Sequence, residues 1–231
     1  MKRTLDVARM HTVAWPLIIG WPVGILAISF VICYVIFALI PTTDAEFNFT
    51  GAVFSVYGFA VAFYIQAITQ TFPFALGLSV TRREFYSASA LVGLIQSAAL
   101  ATLLFALSAL EAATGGFGVK LRMFGIFRYV TDNAALEWAA LFATLLLVTM
   151  VGMFIGVVYQ RYRMNGLFGL LLADIVVFGG GAILITWQQW WPDVIDFVVD
   201  TPRFLLLTAL PLALGVLFTG AGWAGIRRAT A

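Results

Sequence analysis

The sequence predicts an all-α integral membrane protein with six transmembrane helices and both termini on the cytoplasmic side. Three observations lead there. Of 231 residues, 62% are hydrophobic and only 10% charged, against roughly 45–50% and about 25% in an ordinary soluble domain. The apolar residues gather into six runs, each long enough to cross a bilayer core of about 30 Å. The basic residues between those runs collect on one side at every crossing. A soluble domain of this size leaves much of its surface in water, and 24 charges would leave that surface a continuous apolar shell. The single Cys33 rules out a disulfide framework, and the single His11 rules out any site that needs several imidazoles.

The runs fall at about 15–40, 51–72, 87–110, 136–159, 166–187 and 204–225, making one transmembrane domain of 1–231. Helix breaks are expected at Pro41, Pro73, Pro192 and Pro202, where a helix loses a donor and meets a ring. Nine basic residues, from Lys2, Arg3 and Arg9 through Arg82, Arg83, Arg161 and Arg163 to Arg227 and Arg228, share one side with only Asp6 and Glu84. The opposite loops hold Lys120, Arg122, Arg128 and Arg203 against eight acids. The first side is therefore cytoplasmic.

Taken in order, residues 1–12 interleave Lys2, Arg3, Asp6 and Arg9 with Leu5, Val7, Ala8 and Met10, either as an interfacial helix or as a basic terminus that only sets orientation. The apolar run of the first span is far longer than a signal-peptide core, so it is expected to stay in the membrane. Gly20 and Gly24 form a GxxxG there, and Gly152 and Gly156 another in the fourth span, either of which suits close helix approach. In the second span Tyr57, Tyr64 and Thr71 recur every seven residues on one stripe. That stripe either lines a cavity or packs between helices.

Residues 73–86 form a cytoplasmic elbow. Pro73 and Gly77 interrupt the helix, and Thr81 with Glu84 makes a T-x-x-E capping box that restarts it, so Arg82 and Arg83 project inward. An ordinary positive-inside turn explains these residues, and so does a docking elbow for a cytoplasmic partner. The outer segment 112–135 alternates apolar and basic residues over Val119, Lys120, Leu121, Arg122 and Met123, a pattern for lying along headgroups or roofing an exit path.

Asp174 lies inside the fifth span with no basic residue at matching depth. A carboxylate there costs on the order of 3 kcal/mol, so it must face the protein interior, meet water or stay protonated. Gln66, Gln70, Gln96 and Ser97 are hydrogen-bond partners at hand. It marks either a polar point on a translocation path or a buried knot that fixes helix register. Tyr57, Tyr64, Gln66 and Asp174 are the residues we expect along such a path. Gly179, Gly180 and Gly181 would loosen the outer half of the same span. Within 188–203, Asp193, Asp196 and Asp200 share one helical face and Val194, Ile195, Val198 and Val199 the other, just after Trp187, Trp190 and Trp191. This reads as an extracellular amphipathic helix, or as an aromatic belt with an acidic loop.

The string FPFALGLSVTRREFY, residues 72–86, resembles the coupling segment of ABC-2 type transporter permeases, particularly short actinobacterial ones. The resemblance implies a type V exporter-like transmembrane domain in a bacterial plasma membrane. It also implies a second permease subunit, identical or not, and two copies of a separate ABC ATPase. ATP and Mg would be bound in that ATPase. Thr81, Arg82, Arg83 and Glu84 would belong to the surface it moves, and the cargo would be hydrophobic or amphipathic: a drug, a peptide antibiotic or a lipid.

The chain has no GxxxxGK[ST], no HExxH and no nucleophile elbow, and Gly220 to Gly225 match GxGxxG only inside an apolar span. No catalytic or metal-binding residue, bound cofactor or nucleic-acid partner is therefore expected of it. Asn48-Phe-Thr50 matches a glycosylation sequon, by chance on this reading. A non-ABC polytopic protein, either an assembly factor or a membrane enzyme, is the competing class.

Overall fold

The structure is a computed structural model that describes residues 16–39 and 48–227. The expected interfacial helix at 1–12 and the break at Pro41 lie outside them. The described chain is almost wholly helical. Its helices are α1 (Trp21–Leu39), α2 (Phe54–Gln66), α3 (Phe72–Gly77), α4 (Arg82–Ala113), α5 (Ala134–Asp174), α6 (Gly180–Trp187), α7 (Trp191–Asp200) and α8 (Leu210–Ile226). Two short strands, β1 (Asn48–Phe49) and β2 (Leu121–Arg122), pair in parallel with Asn48 opposite Leu121. Five helical stretches are long and apolar enough to cross a membrane: Ile18–Leu39, Phe54–Gly77, Arg82–Ala113, Ala134–Trp187 and Leu205–Ile226. A multi-pass membrane protein is the class these helices suit.

The fourth stretch has 54 residues and, if straight, would run about 80 Å, far beyond one bilayer core. It is not straight. Arg163 sits at φ 55°, ψ −145°, outside any helical region. A Cβ on Gly166 would lie 2.9 Å from a methyl of Val158 and 3.1 Å from its carbonyl oxygen. Eight residues of straight helix would separate those groups by about 12 Å. The chain therefore turns sharply at Arg163 and divides α5 into two limbs.

Prolines bend this fold less than the sequence suggests. The helix does not end at Pro73: α2 runs into α3 through a π-helical turn, Ala67–Thr71, which closes two residues before the proline. The same spacing recurs, with π-turns at Pro16–Gly20 before Pro22 and Leu205–Ala209 before Pro211. A wider turn moves backbone carbonyls away from the pyrrolidine ring and absorbs its missing N–H, so the helix continues. At Pro192 and Pro202 the helix does break: α7 starts at Trp191, and residues 201–202 separate it from the last stretch.

The first limb of α5 is the hub, with α2, α4 and α8 packed around it. Small residues set the distances. A Cβ on Gly152 would fall 2.7 Å from the Val61 carbonyl oxygen, and one on Gly156 2.7 Å from Ile68 Cβ, so this GxxxG is the α2–α5 seam. Gly20 and Gly24 have nothing within 4 Å and make no such seam among the described residues. From Arg163 to about residue 205 the chain is exposed almost throughout. Asp174 and the flanking Leu172, Ile175, Val176 and Val177 all face outward.

Candidate functional site

The elbow is built from both sides. After Gly77, the amides of Leu78 and Val80 donate to the Ala75 carbonyl, and that of Ser79 to the Leu76 carbonyl. Ser79 takes a left-handed conformation, φ 62°, which ends the helix as a glycine would. Thr81 then adopts an extended backbone and caps α4. Its hydroxyl accepts from the Glu84 amide at 3.2 Å, while the Glu84 carboxylate accepts from the Thr81 amide at 3.1 Å and hydroxyl at 2.8 Å. The T-x-x-E pattern thus forms the reciprocal box that the sequence predicts.

Beneath the turn, the rings of Phe72 and Phe85 meet at 5.4 Å, both buried. Tyr86 donates to the Thr219 carbonyl of α8 at 2.8 Å, and Arg82 donates to the Arg227 carbonyl at 3.0 Å. The elbow is therefore fixed to the end of α3, the start of α4 and the C-terminal half of α8. Its outer surface presents Phe74 (63% exposed), Leu78 (55% exposed), Ser79 and Arg83. Apolar and basic groups are thus both exposed on a hydrogen-bonded turn.

The four residues expected along a path are not brought together. Tyr64 is buried and donates to Gln96 Oε1 at 2.8 Å, and Gln96 in turn donates to the Ile18 carbonyl at 2.7 Å. The hydroxyls of Tyr57 and Thr144 lie 3.1 Å apart, tying α2 to α5. On geometry both tyrosines are interhelical packing. Gln66 is exposed and donates to Gln70 at 3.1 Å. Asp174 stands on the outlying limb of α5 and makes no side-chain hydrogen bond or ion pair with the described residues. The partners the sequence offers it are occupied elsewhere, since Ser97 lies 3.4 Å from Thr149 and Gln96 is used twice.

At the opposite end of the bundle is a polar cluster that sequence reasoning missed, having counted its acids as loop residues. Glu111 is buried, and one carboxylate oxygen accepts from the amides of Met123 and Phe124 at 2.8 and 2.7 Å. Glu137, also buried, accepts from Ser108 and pairs with Arg128 at 3.2 Å. Together they fold the 112–135 segment onto the ends of α4 and α5. Asn48 joins by donating to the Val119 carbonyl at 2.7 Å, so the sequon asparagine has a structural role. Arg122 lies 4.7 Å over the Tyr129 ring, and desolvation raises that phenol's pKa against the opposing guanidinium charge. The signal was present in periodicity: Leu100, Leu104, Ser108 and Glu111 continue one buried stripe of α4.

Among the described residues no group of three His, Cys, Asp or Glu is placed to hold a metal ion. No family model matches the chain, and neither does any curated protein or solved structure.

Proposed function

We propose that this chain is the membrane-spanning permease subunit of an ATP-driven exporter of the ABC-2 type, with six crossings and cytoplasmic termini in a bacterial plasma membrane. The first limb of α5, up to Arg163, and the stretch from there through α6 to Trp187 count as two crossings, at about 44 Å and 36 Å of helix each long enough for a bilayer. A separate ATPase, in two copies, binds ATP and Mg and docks on the elbow through Arg83, Phe74 and Leu78. Thr81 and Glu84 hold the turn, and Arg82 ties it to α8.

The observation that carries this reading is the elbow itself. A capped, doubly anchored turn with an exposed apolar and basic surface transmits a push to α2, α4 and α8 without deforming. An orientation signal alone needs none of that construction. The exposed polar groups on the spans point the same way. Gln66, Gln70 and Asp174 face outward from a single subunit, and lipid cannot satisfy them. A second permease subunit, identical or not, and a water-lined path for a hydrophobic or amphipathic substrate between the two would cover them.

The test is purification from native membranes together with the ATPase. Wild type should bring down a stoichiometric ATPase, and Arg82→Glu with Arg83→Glu should lose it while still inserting normally. If no ATPase accompanies wild type, the exporter reading fails, and Asp174 belongs to a self-contained membrane protein.

A further inference from the structure

The elbow borders a groove of about 1200 Å³ between α4 and α8 that shares only Arg83 with the proposed docking surface. Its mouth carries Arg82, Arg83 and Arg227, and among the described residues its lining contains no acid. The Arg227 guanidinium lies 6.0 Å over the Trp223 ring. Further in, the walls become Tyr86 and Trp223, and deeper still Ala90 and Val216. From Arg227 back to Val216 is about 16 Å along α8. The groove is closed beneath by the Tyr86 bond to the Thr219 carbonyl and by the close approach of Gly222 to that ring.

Three cations at the mouth of a largely apolar trench suit a ligand that joins negative charge to a long hydrocarbon chain. We infer that this groove binds one anionic phospholipid of the adjoining leaflet. Its phosphate diester lies among Arg82, Arg83 and Arg227, and an acyl chain runs past Trp223 to Val216. Guanidinium groups suit the phosphate as planar, permanently charged multiple donors, and the stems and rings below suit the chain. The first fifteen residues are a poor rival occupant, since Lys2, Arg3 and Arg9 outnumber Asp6 and the mouth would repel them. The inference stands whether or not an ATPase docks beside the groove.

Native mass spectrometry of the purified chain, titrated with phosphatidylglycerol or phosphatidylcholine of equal chain length, tests this. The expected result is one tightly held phosphatidylglycerol per chain and at least about tenfold weaker phosphatidylcholine binding, since charge-assisted bonds to the phosphate diester favour the unneutralised anion. Arg227→Gln should weaken the tight site about tenfold. Val216→Trp fills the inner end of the groove at an exposed position and leaves all three arginines in place, and it should weaken the site as much. If Val216→Trp binds phosphatidylglycerol like wild type, the attraction is general surface charge and the groove is not the site. Equal binding of the two lipids overturns the inference, and so does a gain in affinity on removing residues 1–15, which would make that segment the occupant.

Discussion

The α2–α5 seam offers a controlled perturbation. At Gly152 an added methyl would sit 2.7 Å from the Val61 carbonyl oxygen and 3.0 Å from its Cα, about 0.7 Å inside the 3.4 Å of ordinary contact. Both opposing atoms are backbone, so no rotamer change relieves the clash and the helices must separate. Overpacking of this kind costs about 1–3 kcal/mol, or several degrees of Tm in a domain of this size. Gly93 differs in an instructive way, because there a methyl meets Thr149 Cγ2 at 2.8 Å. Thr149→Ser deletes that atom and keeps the hydroxyl that faces Ser97. Thermal unfolding in detergent, followed by size-exclusion chromatography, should therefore show Gly152→Ala and Gly93→Ala both destabilised. Thr149→Ser should restore a large part of the loss in Gly93→Ala and none in Gly152→Ala. Gly20→Ala and Gly24→Ala, with nothing among the described residues within 4 Å of the added methyl, serve as controls. If Gly152→Ala melts with the controls, α2 and α5 do not meet as described, and the packing argument fails with it.

Other outcomes follow from single sites. Arg163 holds a positive φ that side chains adopt at a cost of about 1–3 kcal/mol, so Arg163→Gly should raise Tm and Arg163→Ile lower it; identical melting would mean the turn is not strained. Thr81→Ala should remove about 1 kcal/mol of capping, read as faster hydrogen exchange over the first turn of α4 and as weaker ATPase retention. Glu111→Ala strands the buried amides of Met123 and Phe124, at about 1–3 kcal/mol each, and should open residues 112–133 to protease while α4 and the first limb of α5 stay protected.

The long apolar helices were legible because hydrocarbon demands them, and composition records that demand directly. The capping box at Thr81 and the start of α7 at Trp191 and Pro192 were legible for a similar reason: each is a local contest for backbone hydrogen bonds, decided within four residues. Pro73 misled because the remedy, a π-turn at 67–71, lies in backbone geometry rather than in residue type. The four expected path residues were legible only in part. Hydropathy gives the depth of Tyr64 or Asp174 but not the direction each faces, and direction decides that Tyr64 reaches Gln96 while Asp174 reaches nothing described. Glu111 and Glu137 were hidden by charge, which reads as loop unless the buried stripe of α4 is followed to its end.

Site-specific photo-crosslinking in native membranes tests the central claim most directly. A photoreactive side chain at Leu78, exposed on the elbow, is compared with one at Val130, exposed at the opposite end of the bundle. The account predicts a single strong adduct from Leu78 to an ABC ATPase, altered by ATP, and none from Val130. An elbow that crosslinks only to lipid in membranes where the protein is intact, or an ATPase captured from Val130 instead, would contradict it.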